Sequence, residues 1–238
     1  MKWWLAAIEA GVAAGAVTAA GCSNLSTGES GIAGLEIRVP RPAAVEVGQT
    51  IQLHARALDE RGDSVAATVR WITPDTTVTL TPDGKLTGRT GGSTAQVQAQ
   101  SANIVSDFVS FAVNARPDTI VITGDSVLVV AAGVAASTPL LASLRSFDPA
   151  GPLSGRTILY RVVDPVFPDP AQRTVELPGG VLAVNAQTAA DGAPATAVTV
   201  NRISGRTAPD SAIVTVSATT ATGLVVAGSG QRFIVRFQ

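Results

Sequence analysis

The sequence predicts an all-β chain: two tandem antiparallel β-sandwiches behind an N-terminal signal segment. Three observations carry this. Ala (39), Val (30) and Thr (25) make up about two-fifths of the 238 residues, and the branched Cβ atoms of Val and Thr suit a pleated surface. From Leu35 onward apolar and polar residues alternate in short runs, and no later segment sustains a 3.6-residue period. Clusters of Gly, Pro and Asp separate the runs at intervals suited to sandwich loops.

Residues 1–21, MKWWLAAIEAGVAAGAVTAAG, begin with a positive Lys2, run apolar from Trp3 to Val17 and finish in small residues. This is the layout of a secretory signal, and its apolar part falls short of the roughly 20 residues a spanning helix needs. Ala19-Ala20-Gly21-Cys22 then resembles the lipobox of bacterial lipoproteins. The resemblance implies cleavage before Cys22, a diacylglycerol thioether on its sulfur, and a mature chain that meets the membrane through that lipid. Ser23 stands where an Asp is associated with inner-membrane retention, so the implied address is the cell envelope at the outer membrane. Cys22 is the only Cys, so no disulfide competes for it. Acyl chains contribute about 0.8 kcal/mol per buried methylene, and two or three of them make a stable anchor. An ordinary cleaved signal and an uncleaved anchor are the alternatives. Residues 22–34, continuing as SNLSTGESGIAG, are rich in Ser and Gly without periodicity and read as a flexible tether.

The first body is expected over residues 35–114. Leu35, Ile37 and Val39 alternate with polar neighbours, Pro40-Arg41-Pro42 breaks the run, and Val45 and Val47 resume it. Ile51, Leu53, Ala55 and Ala57 share one face of the next strand. Strands follow at Val69-Trp71-Thr73, Val78-Leu80, Leu86, Ala95-Val97-Ala99 and Val109-Phe111-Val113, with turns at Asp59–Asp63, Pro82-Asp83-Gly84 and Gly91-Gly92. Some seven short half-buried strands in this length describe an antiparallel sandwich. Val47, Gly48, Asp59, Gly62, Val69, Trp71, Asp75, Gly84, Leu86 and Gly88 together resemble the pattern of group 2 bacterial immunoglobulin-like (Ig-like) domains. Each has its own physical reason too: Trp71 is expected to fill the space between two sheets, and Gly48, Gly62 and Gly84 to supply turns with positive φ.

Asn114–Asp118 reads as a short hinge, and a second body is expected over residues 116–238. Its stripes are Ile120-Ile122, Val127-Val129, Leu140-Ala142-Leu144, Ile158–Val163, Val181–Val184, Ala197–Val200, Ile213–Val216 and Phe233-Val235-Phe237. The turn Asp148-x-x-Gly151-x-x-x-Gly155 before one strand and Ala190-Asp191-Gly192 before another resemble group 1 bacterial Ig-like domains, the invasin and intimin class. The insert Pro165–Gly180 and the loop Ser204–Ser211 are expected as ordered surface loops that add no core.

Charge and composition narrow the function. The net charge is -1, and 15 of the 17 basic residues are Arg scattered among acids, so no positive field awaits a phosphate backbone and no nucleic acid is expected as partner. One His (His54) and one Tyr (Tyr160) leave little for metal ligands or a triad. His54 shares a polar strand face with Gln52 and Arg56 and is expected in solvent. Arg61-Gly62-Asp63 spells an integrin-recognised triplet, but the Asp59–Asp63 turn accounts for it structurally. Asp118 and Asp125 are the acids nearest the hinge, where Ca²⁺ between tandem domains needs converging oxygens; no Asp-x-Asp cluster supports them, and no cofactor or metal is expected. Sequence therefore points to a non-enzymatic, lipid-anchored envelope protein for adhesion, spacing or protein interaction, with an envelope protein or polysaccharide as possible partner. The alternative is a carbohydrate-binding module or accessory subunit of a surface polysaccharide enzyme.

Overall fold

The computed structural model describes residues 31–238. The signal segment, Cys22 and most of the expected tether lie outside the described residues. Twenty-one strands and one 3-10 turn make up the regular structure of the described chain.

In the first body β1 (Gly34–Arg38), β4 (His54–Leu58) and β5 (Ser64–Val65) form one antiparallel sheet. Opposite it stands β9 (Ser93–Ser101), paired with β6 (Arg70–Ile72), β10 (Ile104–Val105) and β11 (Val109–Asn114). On the outer side of β11 runs β2 (Ala44–Glu46), in parallel. β3 (Thr50–Gln52), β8 (Lys85–Gly88) and β7 (Val78–Leu80) form a third ladder, tied to β2 by a Val47–Gly88 bridge. The single strand expected from Ile51 to Ala57 is thus two. At Leu53, whose N–H donates 2.8 Å to Gly84 O, the chain leaves β8 and takes β1 as its partner.

Leu53, Leu86, Val97, Phe111 and Val113 are buried in the first core. Each such side chain stabilises the fold by about 1.5–3 kcal/mol relative to exposure. Trp71 does not fill the middle as expected. It is half-buried at the core margin, and its indole covers Gly84, where a Cβ would come 2.5 Å from Nε1. Phe111, fully buried and paired with the buried Ala95 of β9, is the large aromatic inside this core instead. The tether also stops sooner than expected: Ile32 is buried, and the Ala33 N–H donates 2.7 Å to Leu58 O.

The second body has one sheet of β12 (Thr119–Ile122), β14 (Ala142–Phe147) and β15 (Ala150–Pro152). The other runs in the order β13 (Val127–Val130), β21 (Arg232–Phe237), β20 (Ser211–Ser217), β16 (Thr157–Asp164), β18 (Ala183–Gln187). A small ladder joins β17 (Val175–Glu176) to β19 (Asn201–Arg202).

The second body departs from the sequence expectation at three places. Val127 and Val129 point outward, 45% and 55% exposed, while Leu128 and Val130 face the core. The run VLVV is apolar at every position, so alternation does not select a face; its parallel pairing with β21 does. Val198 and Val200 are buried, but residues 197–200 form no strand. Their carbonyls accept from the Leu140 and Ser137 N–H groups at 2.8 and 2.9 Å, and Pro139 between those donors has no N–H with which to complete a ladder. Finally, the insert contributes core, because Val175 and Leu177 are fully buried against the second sandwich.

Candidate functional site

The junction between the bodies is the most constructed place in the molecule. β11 ends at Asn114, whose carbonyl accepts from Val47 N–H at 2.9 Å, so β2 and the chain leaving the first body are held together. Val45 on β2 enters the first core, and its neighbour Glu46 faces the second body. Glu46 is only 3% exposed. Its Oε1 accepts 3.1 Å from Ala221 N–H in the turn after β20, and its Oε2 lies 3.0 Å from Arg156 Nη2 just before β16. The same Nη2 donates 2.6 Å to Ala115 O in the linker. The pair is an ionic contact and lacks the alignment of a hydrogen bond at Oε2, while Arg156 itself keeps 23% exposure. An intact buried pair adds little net stability, but removing one partner strands a charge and costs about 3–5 kcal/mol.

The rest of the linker is also occupied. Arg116 pairs with Asp118 Oδ1 at 2.7 Å, and Asp118 Oδ2 accepts 2.7 Å from Phe147 N–H at the end of β14. Gly91 closes against the linker, where a Cβ would sit 2.6 Å from Ala115 Cα. The expected hinge at 114–118 is a bound segment. Shallow hollows of about 300 and 330 Å³ flank it, one lined by Gly48, Arg116 and Pro117 together with the exposed Leu224 and Val225.

Strand register places the two ends of the molecule. Gly34 pairs with Leu58, and Ser101 with Ile104, at the end of the first body away from Asn114. In the second body β16 begins beside Arg156 at the junction and ends at Asp164, so the insert that follows stands at the far end. There Asp169 Oδ1 accepts from Ala171 N–H at 2.9 Å to cap a 3-10 turn, Pro170–Gln172. Arg173 spans the insert, donating 3.3 Å to Phe167 O and 3.1 Å to Gly180 O. Val163, Val166 and Val181 are exposed around this tip.

The residues singled out from sequence do not assemble into a centre. His54 is in solvent, near Arg38 and Arg56. Arg61, Gly62 and Asp63 are exposed in the β4–β5 hairpin, and Asp59 Oδ1 accepts from the Arg61 and Asp63 N–H groups at 2.9 Å, with Gly62 at φ +82°. That is the structural account of the triplet. Asp118 is consumed by Arg116 and Phe147, and Asp125 is exposed on the β12–β13 turn; the two are not brought together. Among the described residues no three His, Cys, Asp or Glu side chains are grouped to hold a metal ion. Glu46 and Arg156 escaped sequence reading. The one available signal was a lone carboxylate between Val45 and Val47, which reads equally as a solvated outer face.

One exposed pair makes a titration prediction. Lys85 Nζ sits 2.8 Å from Asp83 Oδ2, and this hydrogen bond, helped by Thr81, lowers the Asp83 carboxyl to about 2. A depressed carboxylate contributes above its ordinary pKa, and the contribution fades as pH falls through the folded value. By NMR titration, Lys85→Ala should return the Asp83 midpoint toward 3.8 without unfolding the hairpin.

No family model matches the chain, and no curated protein matches it in sequence. Among solved structures it is similar to the adhesin InvE of Yersinia pseudotuberculosis, at 16% identity over 89% of this chain and 61% of that one, with a TM-score of 0.41. It is similar to the fibronectin(III)-like modules of Clostridium thermocellum CbhA, at 16% identity, 85% and 93% coverage and a TM-score of 0.38. It is also similar to domains 4 and 5 of the S-layer protein SbsC, at 16% identity, 87% and 98% coverage and a TM-score of 0.34. At these TM-scores the likenesses carry no weight for function. Each body is an Ig-like β-sandwich. In each, the sheets close on a stripe of buried apolar side chains.

Proposed function

We propose that this is a non-enzymatic, lipid-anchored cell-envelope protein whose two Ig-like bodies hold the Pro165–Gly180 tip away from a membrane for adhesion, spacing or protein interaction. The observation that supports it is the strand register, with residues 31–34 at one end of the tandem and the insert at the other. Cys22 carries the lipid, and the outer membrane is the proposed address. The tip is an ordered loop with exposed valines, the kind of surface that meets another protein through side-chain pockets and strand edges.

Mass spectrometry of protein extracted from membranes tests the anchor. The expected N-terminal species is Cys22 with a diacylglyceryl thioether; an intact Met1, or an unmodified Cys22, overturns it. Pull-down from envelope extract with the unaltered protein and with a variant changed at the exposed Val166 and Val181 around the tip then reads that surface, and equal capture by both would remove it as the binding surface.

A further inference from the structure

We infer that Glu46, Arg156 and Ala221 form a latch that makes the two bodies move as one, so that Asn114–Asp118 is a fixed coupling and not a hinge. Adjacent domains in one chain usually move relative to each other unless something substantial holds them. Here the holding groups come from all three parts. Glu46 belongs to the first body, Ala115 to the linker, and Arg156 and Ala221 to the second body. Arg156 touches both of the others through one nitrogen, and Glu46 reaches the second body's backbone through its other oxygen. Swinging the bodies apart would break all three contacts together, including a guanidinium pairing to a carboxylate that is itself buried.

Two features make the latch directional. Gly91 lets Ala115 approach to a distance that any side chain would forbid, which fixes where the linker lies. Asp118, held by Arg116 and by Phe147 N–H, fixes where it enters the second body. Because Glu46 is 3% exposed, screening reaches this pair far less than it reaches a surface pair. The latch depends on nothing that Cys22 carries, so it and the anchor can fail independently.

Amide ¹⁵N relaxation on the full chain tests this. Both bodies are expected to report one rotational diffusion tensor, unchanged at high salt. Arg156→Met, which keeps the methylene stem and removes the guanidinium, is expected to give two tensors, each with a correlation time about twofold shorter. Independent tensors in the unaltered protein, or a single tensor retained in folded Arg156→Met, would overturn the latch. If that variant does not fold, Glu46→Gln is read in the same way, since its amide oxygen can still accept from Ala221 N–H.

Discussion

Phe233→Ala is expected to cost the second body about 3–5 kcal/mol. Phe233 is fully buried on β21, which lies between β13 and β20 in the larger sheet. Its ring stacks on Tyr160 with centroids 6.5 Å apart and an interplanar angle of 24°. Tyr160 in turn donates 3.2 Å to Leu140 O, a bond that ties the ring to the chain leading into β14, and burial pushes its phenol well above the usual range. Phe233 and Tyr160 are the fully buried aromatics of this core, and Phe237 packs only at its margin, partly buried. Denaturant titration of the full chain should show a lower midpoint for the second body with an unchanged slope. Phe233→Leu, which refills most of the volume, should lose less. A loss under about 1 kcal/mol for the alanine variant would mean that the sandwich collapses freely around the gap.

Gly228→Ala is the second large effect. Gly228 has φ +81°, and a Cβ there would collide with the Ile120 carbonyl oxygen and lie 2.9 Å from Gln231 Nε2. The collision matters because this turn holds the start of β12. Ile120 N–H donates 2.9 Å to Ala227 O, Gln231 Nε2 donates 3.2 Å to Ile120 O, and Gln231 Oε1 accepts 3.2 Å from Ile122 N–H. Left-handed backbone strain costs about 1–3 kcal/mol for a residue with a side chain. Overpacking against a fixed carbonyl adds about 1–3 kcal/mol. Gly133 separates the two contributions, since it has φ +79° with nothing within 4 Å of a would-be Cβ. Gly133→Ala should therefore show only the backbone cost, and early hydrogen exchange at Ile120 and Ile122 should appear in Gly228→Ala alone. Equal losses in the two variants would show that the contact with Ile120 does not matter.

Legibility in the sequence followed local periodicity. The stripe Leu140-Ala142-Leu144, which runs into β14, and the β16 stripe Ile158-Tyr160-Val162 are buried as alternation predicts. Gly48, Gly62 and Gly84 all have positive φ, because a tight turn writes its requirement into one residue. Failures came where one residue's neighbours in sequence could not reveal its neighbours in space. The run Val127–Val130 is apolar on both faces, Val175 and Leu177 sit in a loop that reads as surface, and Trp71 gave way to Phe111 at the centre.

Sequence alone determined the all-β fold class and the turn glycines, since strand period and backbone sterics act over two to four residues. Tertiary structure alone decided the junction. Glu46 and Arg156 are 110 positions apart in sequence, each looks like an ordinary solvated charge, and only the docking of two complete sandwiches removes water from between them. Desolvation of a charge is a property of the assembled surface around it, and no local pattern of residues encodes it.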